Sequence, residues 1–374
     1  MSNDLEMSSA GVATKASSRL YRGQTAIDFH GRRKFGVVVS LVLIVATLIS
    51  LGVRGLDLGI DFSGGTSWDV PAAQFTVDDA ATVLADAQIS TEGARIQTRE
   101  SDSGAFVKVQ VESLSGSEVE SLRAAFAAAA GVEVDAVNVN LVSASWGSDI
   151  TAKAIRALII FLIAVSIFIS IRFEWRMAAA AIIAMIHDVV ISVGLYSIFG
   201  FVVTPATVIA FLTILGYSLY DTIVVFDRIR ENETRFATHR VAYADIVNTS
   251  MNQVIMRSIN TSASSVLPVI SLLLVGAGLL GASTLSEFAV ALLIGMLTGT
   301  YSSIFVAAPL LAAFKVRTAE FRDRKREPST GEGLRSLVMG ASPGRSRSVS
   351  AGDERDGAAT ALQHEPRPRK KRRR

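Results

Sequence analysis

The sequence contains no cysteine, which excludes disulfide bonds, iron–sulfur clusters, cysteine-ligated zinc sites and thiol catalysis. It has only four histidines, scattered along the chain, and no Gly-x-x-x-x-Gly-Lys phosphate-binding motif. We therefore predict no metal site, no cofactor and no catalytic residues, and we do not expect an enzyme. Charged residues make up 19% of the chain, against about 25% in average proteins. The net charge of only +3 does not indicate a globally basic nucleic-acid-binding protein.

Apolar residues, in contrast, make up half of the 374 residues, too many for one soluble core. They are concentrated in six runs, each close to the roughly 20 residues that a helix needs to cross a bilayer. The runs are Phe35–Val53, Ala154–Ile171, Met177–Phe201, Val203–Phe226, Ser262–Ala282 and Phe288–Phe314. Basic residues precede the first run, as in a signal peptide, but no small-residue cleavage pattern follows promptly, so we expect an uncleaved helix. The sequence thus predicts a polytopic α-helical membrane protein with six transmembrane helices.

The distribution of Lys and Arg predicts the orientation of these helices. Basic residues precede the first run, separate the second from the third and the fourth from the fifth, and follow the sixth, but the third-to-fourth and fifth-to-sixth loops have none. The positive-inside rule then places both termini in the cytoplasm. The expected divisions are a cytoplasmic segment 1–34, a first helix 35–53, an extracytoplasmic domain 54–150, five further helices within 151–314 and a cytoplasmic tail 315–374.

The tail has 17 basic and 8 acidic residues and is rich in Ser, Gly, Pro and Arg, so we predict that it is disordered. Its basic end, residues 367–374, could bind anionic membrane lipid or ribosomal RNA, although a solvated tail that only fixes the topology is an equal alternative.

The segment Gly55–Ile150 has 15 acidic and 4 basic residues and is long enough to fold independently. Its polarity pattern predicts strands and helices in the order β-α-β-β-α-β, which is the ferredoxin-like arrangement. The predicted elements are strand Thr66–Val70, helix Val77–Ala87, strands Arg95–Arg99 and Phe106–Val111, helix Ser117–Ala130 and strand Val132–Val142. An α+β domain of this kind, acidic and without a nucleophile, is expected to contact a partner or a passing polypeptide.

Ionisable residues inside the apolar runs are candidate functional residues, because they are costly in a membrane. Asp221, with Tyr220 and Thr222 beside it, could hold or release a proton, and Arg257 could stabilise its ionised form. A structural ion pair, or an arginine that reaches the headgroups, is the alternative for each. His187 and Asp188 are a possible second relay, to which Tyr220 and Thr222 are also assigned, although an interhelical hydrogen bond is the more economical interpretation for His187 and Asp188.

Several motifs together resemble the SecF branch of the SecD/SecF family of the resistance-nodulation-division superfamily. They are Gly59–Thr66 (GIDFSGGT), Ile186–Asp188 (IHD), Gly216–Thr222 (GYSLYDT), Phe226–Asn232 (FDRIREN), Arg257–Ser258 and Gly299–Phe305 (GTYSSIF). The family motif residues are Gly59, Asp61, Gly64, Gly65, Gly216, Tyr217, Asp227 and Arg228. Two positions depart from the family pattern: Tyr220 replaces an Asn, and Ser145–Ser148 replaces a Val-Gly-Pro stretch.

The resemblance implies a subunit of the bacterial plasma membrane that joins SecD and assists export of preproteins through SecYEG, with YajC and YidC as possible partners. It also implies that Asp221 and Arg257 conduct protons and that the proton motive force drives the work. The alternatives are a proton-driven small-molecule or lipid exporter of the same superfamily and a purely structural subunit that stabilises the translocon. An intramembrane protease that uses Asp188 and Asp221 is a fourth and least favoured alternative.

Overall fold

The computed structural model describes residues 25–73, 75–91, 94–101, 104–239, 241–279, 283–322, 324 and 328–339. It contains six helices that are long and apolar enough to cross a membrane, which confirms the predicted fold class. Residues 1–24 and the basic end of the tail, 367–374, lie outside the described residues.

The first span, α1 (Arg33–Val53), leads into a domain of α-helices and an antiparallel sheet. In chain order this domain contains the short helix α2 (Ile60–Ser63), β1 (Gly65–Pro71), α3 (Val77–Asp86), β2 (Arg95–Ser101), β3 (Gly104–Val111), α4 (Gly116–Ala130), a 3₁₀ turn (Val134–Ala136) and β4 (Asn138–Val142). The strand order is β2-β3-β1-β4 and every pair is antiparallel, as in a ferredoxin-like fold.

Local sequence explains why these elements form where they do. Thr76 and Ser115 cap α3 and α4, and each accepts a hydrogen bond from the backbone of an acidic residue three positions later. The two helices cover one face of the sheet, where Trp68 of β1 packs against Phe126 of α4 with ring centroids 5.6 Å apart. The last strand is shorter than predicted, because residues 134–136 form the 3₁₀ turn instead.

Five further spans follow the domain. They are α5 (Ala144–Arg172), α6 (Trp175–Phe199), α7 (Pro205–Arg235), α8 (Tyr243–Ser271), which continues as the π-helix Leu272–Leu279, and a sixth span built from α9 (Ser283–Ser302), the π-helix Ser303–Ala307 and α10 (Ala308–Val316). Two shorter helices, α11 (Ala319–Arg322) and α12 (Gly331–Val338), complete the described chain.

The helices of the second and fifth membrane spans, α5 and α8, begin well before their apolar runs. Helix α5 starts at Ala144, ten residues before the predicted Ala154, and α8 starts at Tyr243, nineteen before Ser262. The early part of α8 carries polar residues, but it is buried by protein: Asn252 Oδ1 accepts a hydrogen bond from the Ile27 amide at 2.8 Å. Hydropathy alone does not reveal a helix whose polar side chains are satisfied by neighbouring segments.

The predicted disorder of the whole tail is wrong for its first part. Helix α12 packs against α8, with Leu334 and Leu337 buried, and Gln253 Nε2 donates to the Val338 carbonyl at 3.1 Å. This helix is amphipathic and places its apolar residues on one face, a pattern that the tail's overall composition conceals.

A buried lysine joins the ends of three spans on this same side. Lys315 of α10 donates to Glu174, which precedes α6, and lies 3.3 Å from Glu233 Oε1 of α7. Burial alone would raise the pKa of Glu174, but the hydrogen bonds and positive charges of Lys315 and Arg176 outweigh it and hold that pKa below its ordinary value. The ionised carboxylate therefore contributes to holding these helix ends together.

Candidate functional site

Asp221 lies in the middle of α7 and is only 8% exposed. Its Oδ2 accepts a hydrogen bond from Ser303 Oγ at 2.5 Å, across the interface with the sixth span. It also borders a cavity of about 30 Å³ that lies between α7, α8 and α9 and has Tyr217, Ser218 and Thr261 in its wall. The contact of this buried carboxyl in the sixth span is thus a hydroxyl, which is able both to donate and to accept a hydrogen bond.

The structure places a second buried carboxyl, Asp188 of α6, close to the same interface. Asp188 is 1% exposed, and its Oδ2 accepts hydrogen bonds from Ser218 Oγ at 2.5 Å and Ser302 Oγ at 2.7 Å. Its Oδ1 lies 3.2 Å from His187 Nδ1. The interhelical hydrogen bonding expected of His187 and Asp188 is therefore present, and it involves three helices.

His187 extends this polar cluster to the first span. Its Nε2 lies 3.1 Å from Ser40 Oγ of α1, and Ser40 is 3.0 Å from the Tyr301 hydroxyl. Tyr301 in turn donates to the Gly36 carbonyl at 2.8 Å. A continuous series of hydrogen-bonding groups thus runs from α1 through α6 to α7 and α9.

A close approach of two helices makes these contacts possible. A Cβ atom on Gly299 of α9 would lie only 2.9 Å from the Ser218 Cβ of α7, so glycine is required for this spacing. Three residues later Ser302 ends α9, and Ser303 begins the π-helix. Such π-helical turns are frequent at functional sites, and here one turn directs consecutive serines to two carboxyls on different helices.

The predicted Asp221–Arg257 ion pair is not formed. Arg257 is exposed on α8, and within the described part of the chain it makes no hydrogen bond or ion pair. Tyr217 and Tyr220 are also about half exposed, at 46% and 48%, whereas Thr222 is buried. The face of α7 and α8 next to Asp221 thus presents polar groups outward at membrane depth.

The remaining family motif residues are mostly structural. Gly64 has φ +74° and ψ 169°, a conformation essentially restricted to glycine, and a Cβ there would lie 2.7 Å from the Ala144 Cα at the start of α5. Gly65 has φ +137°, and its Cβ would meet the Val111 carbonyl at 2.5 Å. Gly64 thus allows the domain to sit directly on the second span, and Gly65 allows β1 to pack closely against β3.

Other motif positions fix the ends of helices or remain without an assigned role. The Gly59 amide donates to the Val203 carbonyl at 2.9 Å, which ties the GG segment to the loop before α7. Asp227 lies 3.7 Å from Arg172, and Arg228 Nε donates to Gln253 at 2.7 Å. Asp61 is partly buried and Gly216 faces open space; nothing in the structure explains a further role for either.

Sequence reasoning identified both carboxyls but not the hydroxyls that hold them. Ser40, Ser302 and Ser303 were not candidates, although the polar run from Gly299 to Ser303 inside an apolar span was a usable signal. Among the residues that the structure describes, no three His, Cys, Asp or Glu side chains are grouped as metal ligands.

Comparisons with known proteins agree with the motifs. The family model of the C-terminal part of the SecD/SecF protein export membrane proteins matches residues 122–317, and the SecD/SecF GG-motif model matches residues 49–73. The chain is 38% identical over 353 residues to protein translocase subunit SecF of Streptomyces coelicolor, covering 92% of each chain. It is 39% identical over 350 residues to the SecF subunit of Mycobacterium tuberculosis H37Rv, covering 91% of this chain and 78% of that one.

Solved structures show the same architecture. The crystal structure of SecDF, a translocon-associated membrane protein from Thermus thermophilus, is 31% identical with a TM-score of 0.70 and covers 79% of this chain and 39% of that one. A second SecDF structure, in a super-membrane-facing form, has a TM-score of 0.56 at 30% identity and covers 81% of this chain and 40% of that one. The chain spans about two fifths of each solved protein. With its six apolar spans and these relatives, it is a multi-pass protein of the bacterial cell membrane and belongs to the SecF family of protein translocase subunits.

Proposed function

We propose that this chain pairs with SecD and uses the proton motive force, through protonation of Asp221, to assist SecYEG-dependent export of preproteins. The observation that carries the proposal is the Asp221 carboxyl itself, buried at membrane depth and hydrogen-bonded to a serine hydroxyl. Its protonation changes the charge of the interface between α7 and the sixth span. A charge that crosses the membrane supplies about 2.3 kcal/mol per 100 mV, which is enough to shift a balance between two helix arrangements.

The exposed polar face of α7 and α8 supports SecD as the partner. A lone arginine on a lipid-facing surface is costly, whereas Arg257 and the two tyrosines beside Asp221 would be satisfied against a second membrane subunit. In this arrangement Arg257 approaches Asp221 or an equivalent acidic group only within the complex. The complex then engages SecYEG, with YajC and YidC as further partners.

The proposed orientation follows the positive-inside rule, with both termini in the cytoplasm and the ferredoxin-like domain outside. The domain then lies where emerging preprotein appears, and its direct contact with α5 through Gly64 and Ala144 links it to the membrane helices.

The two alternatives make different demands on the structure. An exporter needs a cavity of roughly 300–1,000 Å³ for a drug-sized substrate, but the cavity beside Asp188 measures about 150 Å³ and that beside Asp221 about 30 Å³. A purely structural subunit requires no titratable group in α7. Cavities of about 460 and 590 Å³ lie elsewhere, beside the GG segment and beside Tyr243. Within the described part of the chain, the absence of a large cavity at either carboxyl, together with the SecF relatives, favours protein export over small-molecule export.

The test compares Asp221→Asn with Asp227→Asn, a control on the same helix whose carboxylate is half exposed. Each variant is produced with its SecD partner in membrane vesicles, and preprotein export is measured with ATP present and the proton gradient either applied or dissipated. We expect Asp221→Asn to abolish the stimulation by the gradient and Asp227→Asn to retain it, with assembly intact in both. Full stimulation in Asp221→Asn would contradict the proposal and favour the structural role.

A further inference from the structure

We propose that Asp188 is a second proton-binding carboxyl of the membrane domain and that it is coupled to Asp221 through Ser218 and the consecutive serines Ser302 and Ser303. This inference rests on the proposed function and assigns to Asp188 a role beyond helix packing.

The surroundings of Asp188 suit a carboxyl that changes its protonation state. The neighbouring groups are hydroxyls of α7 and α9 and the His187 ring of its own helix. On the remaining side lies a cavity whose wall is otherwise nearly apolar, with Ala154, Ile155 and Leu158 contributed by α5. Within the part of the chain that the structure describes, no lysine or arginine forms an ion pair with Asp188. A permanently ionised carboxylate in such a place is costly, whereas hydroxyl groups can serve either protonation state because each can donate or accept.

The coupling follows from one hydrogen bond and one shared cavity. Ser218 donates to Asp188 Oδ2 and also lies in the wall of the cavity beside Asp221. In a transfer between the carboxyls, Ser218 gives its hydroxyl proton to Asp188 through this hydrogen bond and receives a proton that Asp221 releases across the shared cavity. One proton then leaves Asp221, one arrives at Asp188, and the serine ends unchanged.

The two serines of the sixth span give the transfer a structural consequence. When Asp188 is ionised it accepts from Ser302, and when it is protonated it can itself donate to that hydroxyl. The same two states at Asp221 involve Ser303. Because these serines are adjacent, at the junction of α9 and a π-helical turn, the protonation of either carboxyl acts on the same peptide segment.

The test uses the complex with SecD and three variants: Asp188→Asn, Asp221→Asn and, as control, Ser192→Ala. Ser192 lies on the same helix and faces the same cavity as Asp188 but is outside the hydrogen-bond series described above. Two quantities are measured: export stimulated by an applied proton gradient, and the infrared carbonyl band of protonated carboxyl groups. We expect Asp188→Asn to reduce the stimulation at least tenfold and to remove one component of the band, while Ser192→Ala changes neither.

The outcomes separate this inference from the proposed function. Loss of stimulation in Asp221→Asn, with full stimulation and an unchanged infrared band in Asp188→Asn, overturns the role of Asp188 alone. Full stimulation in Asp221→Asn overturns the proposed function. If Asp188→Asn fails to assemble, Ser302→Ala replaces it: this variant keeps the carboxyl, so we expect a shifted infrared component and weakened stimulation, and wild-type values for both would overturn the coupling.

Discussion

The close approach of α7 and α9 gives the sharpest prediction of stability, because the chain offers a matched pair of glycines. Gly299 lies in α9, and a Cβ atom added to it would lie 2.9 Å from Ser218 Cβ and 3.2 Å from Ser218 Cα. Gly216 lies in the neighbouring α7, two residues from Ser218, and a Cβ there would meet no atom within 4 Å. Both are helical, so replacement by alanine gains the same intrinsic helix propensity, about 1 kcal/mol, at each site.

The difference between the two variants therefore isolates the steric cost. Inserting a methyl group into a packed interface costs typically 1–3 kcal/mol, so we expect Gly299→Ala to be less stable than Gly216→Ala by about that amount. This corresponds to a ratio of roughly 5-fold to 160-fold between their unfolding equilibrium constants. The displaced α9 should also weaken the Ser302–Asp188 hydrogen bond.

The assay is reversible unfolding of the two purified variants in the same detergent, followed by helical circular dichroism against increasing denaturant. Equal free energies of unfolding, or a less stable Gly216→Ala, would refute the reasoning, because the contact with Ser218 would then not limit the helix spacing.

Two other predictions concern the ends of elements. Replacing Ser115 by alanine removes the cap of α4 and should cost about 1 kcal/mol, measured as faster amide hydrogen exchange in α4 of the intact protein while α6 is unchanged. Acidification should loosen the contact made by Lys315: since the pKa of Glu174 is lowered by folding, its contribution to stability is present above its unfolded pKa of about 4.5 and is lost as the pH falls through the lower folded value. Thermal unfolding between about pH 6 and pH 3 should show this loss in the wild type and a smaller one in Lys315→Met; the same slope in both would exclude the ion pair as its source.

How far the sequence could predict this fold depends on what surrounds each segment. The six apolar runs were sufficient to predict six spans, because lipid demands the same apolar composition along each helix. The start of α8 was missed because Asn248 and Asn252 are satisfied by the N-terminal segment. Such a partner, 218 or more residues away in the chain, leaves no local signal. The same applies to α12, because its few apolar residues are buried only when the helix packs against α8.

The sequence was sufficient to identify the two acidic residues of the candidate site, but not the hydrogen-bond partners that surround them. Asp188 and Asp221 stand out because charged residues are rare in apolar runs. The serines that join them are common residues in membrane helices and do not stand out. In addition, the π-helical turn rotates the side chains that follow it around the axis of the sixth span, so the α-helical period of 3.6 residues does not predict which neighbour each serine faces. Arg257 matched the family position, yet it has no partner among the described residues of the chain, since its surroundings depend on what covers the outer face of α8.

The short bridge between the GG segment and the loop before α7 has a mechanical consequence. The Gly59 amide donates to the Val203 carbonyl, and the Val203 amide donates to the backbone carbonyl of Asp57 at 2.6 Å. The chain that enters the ferredoxin-like domain is therefore hydrogen-bonded to a residue two positions before Pro205, where α7 begins. A load applied to the domain is thus delivered to the first turn of the helix that carries Asp221.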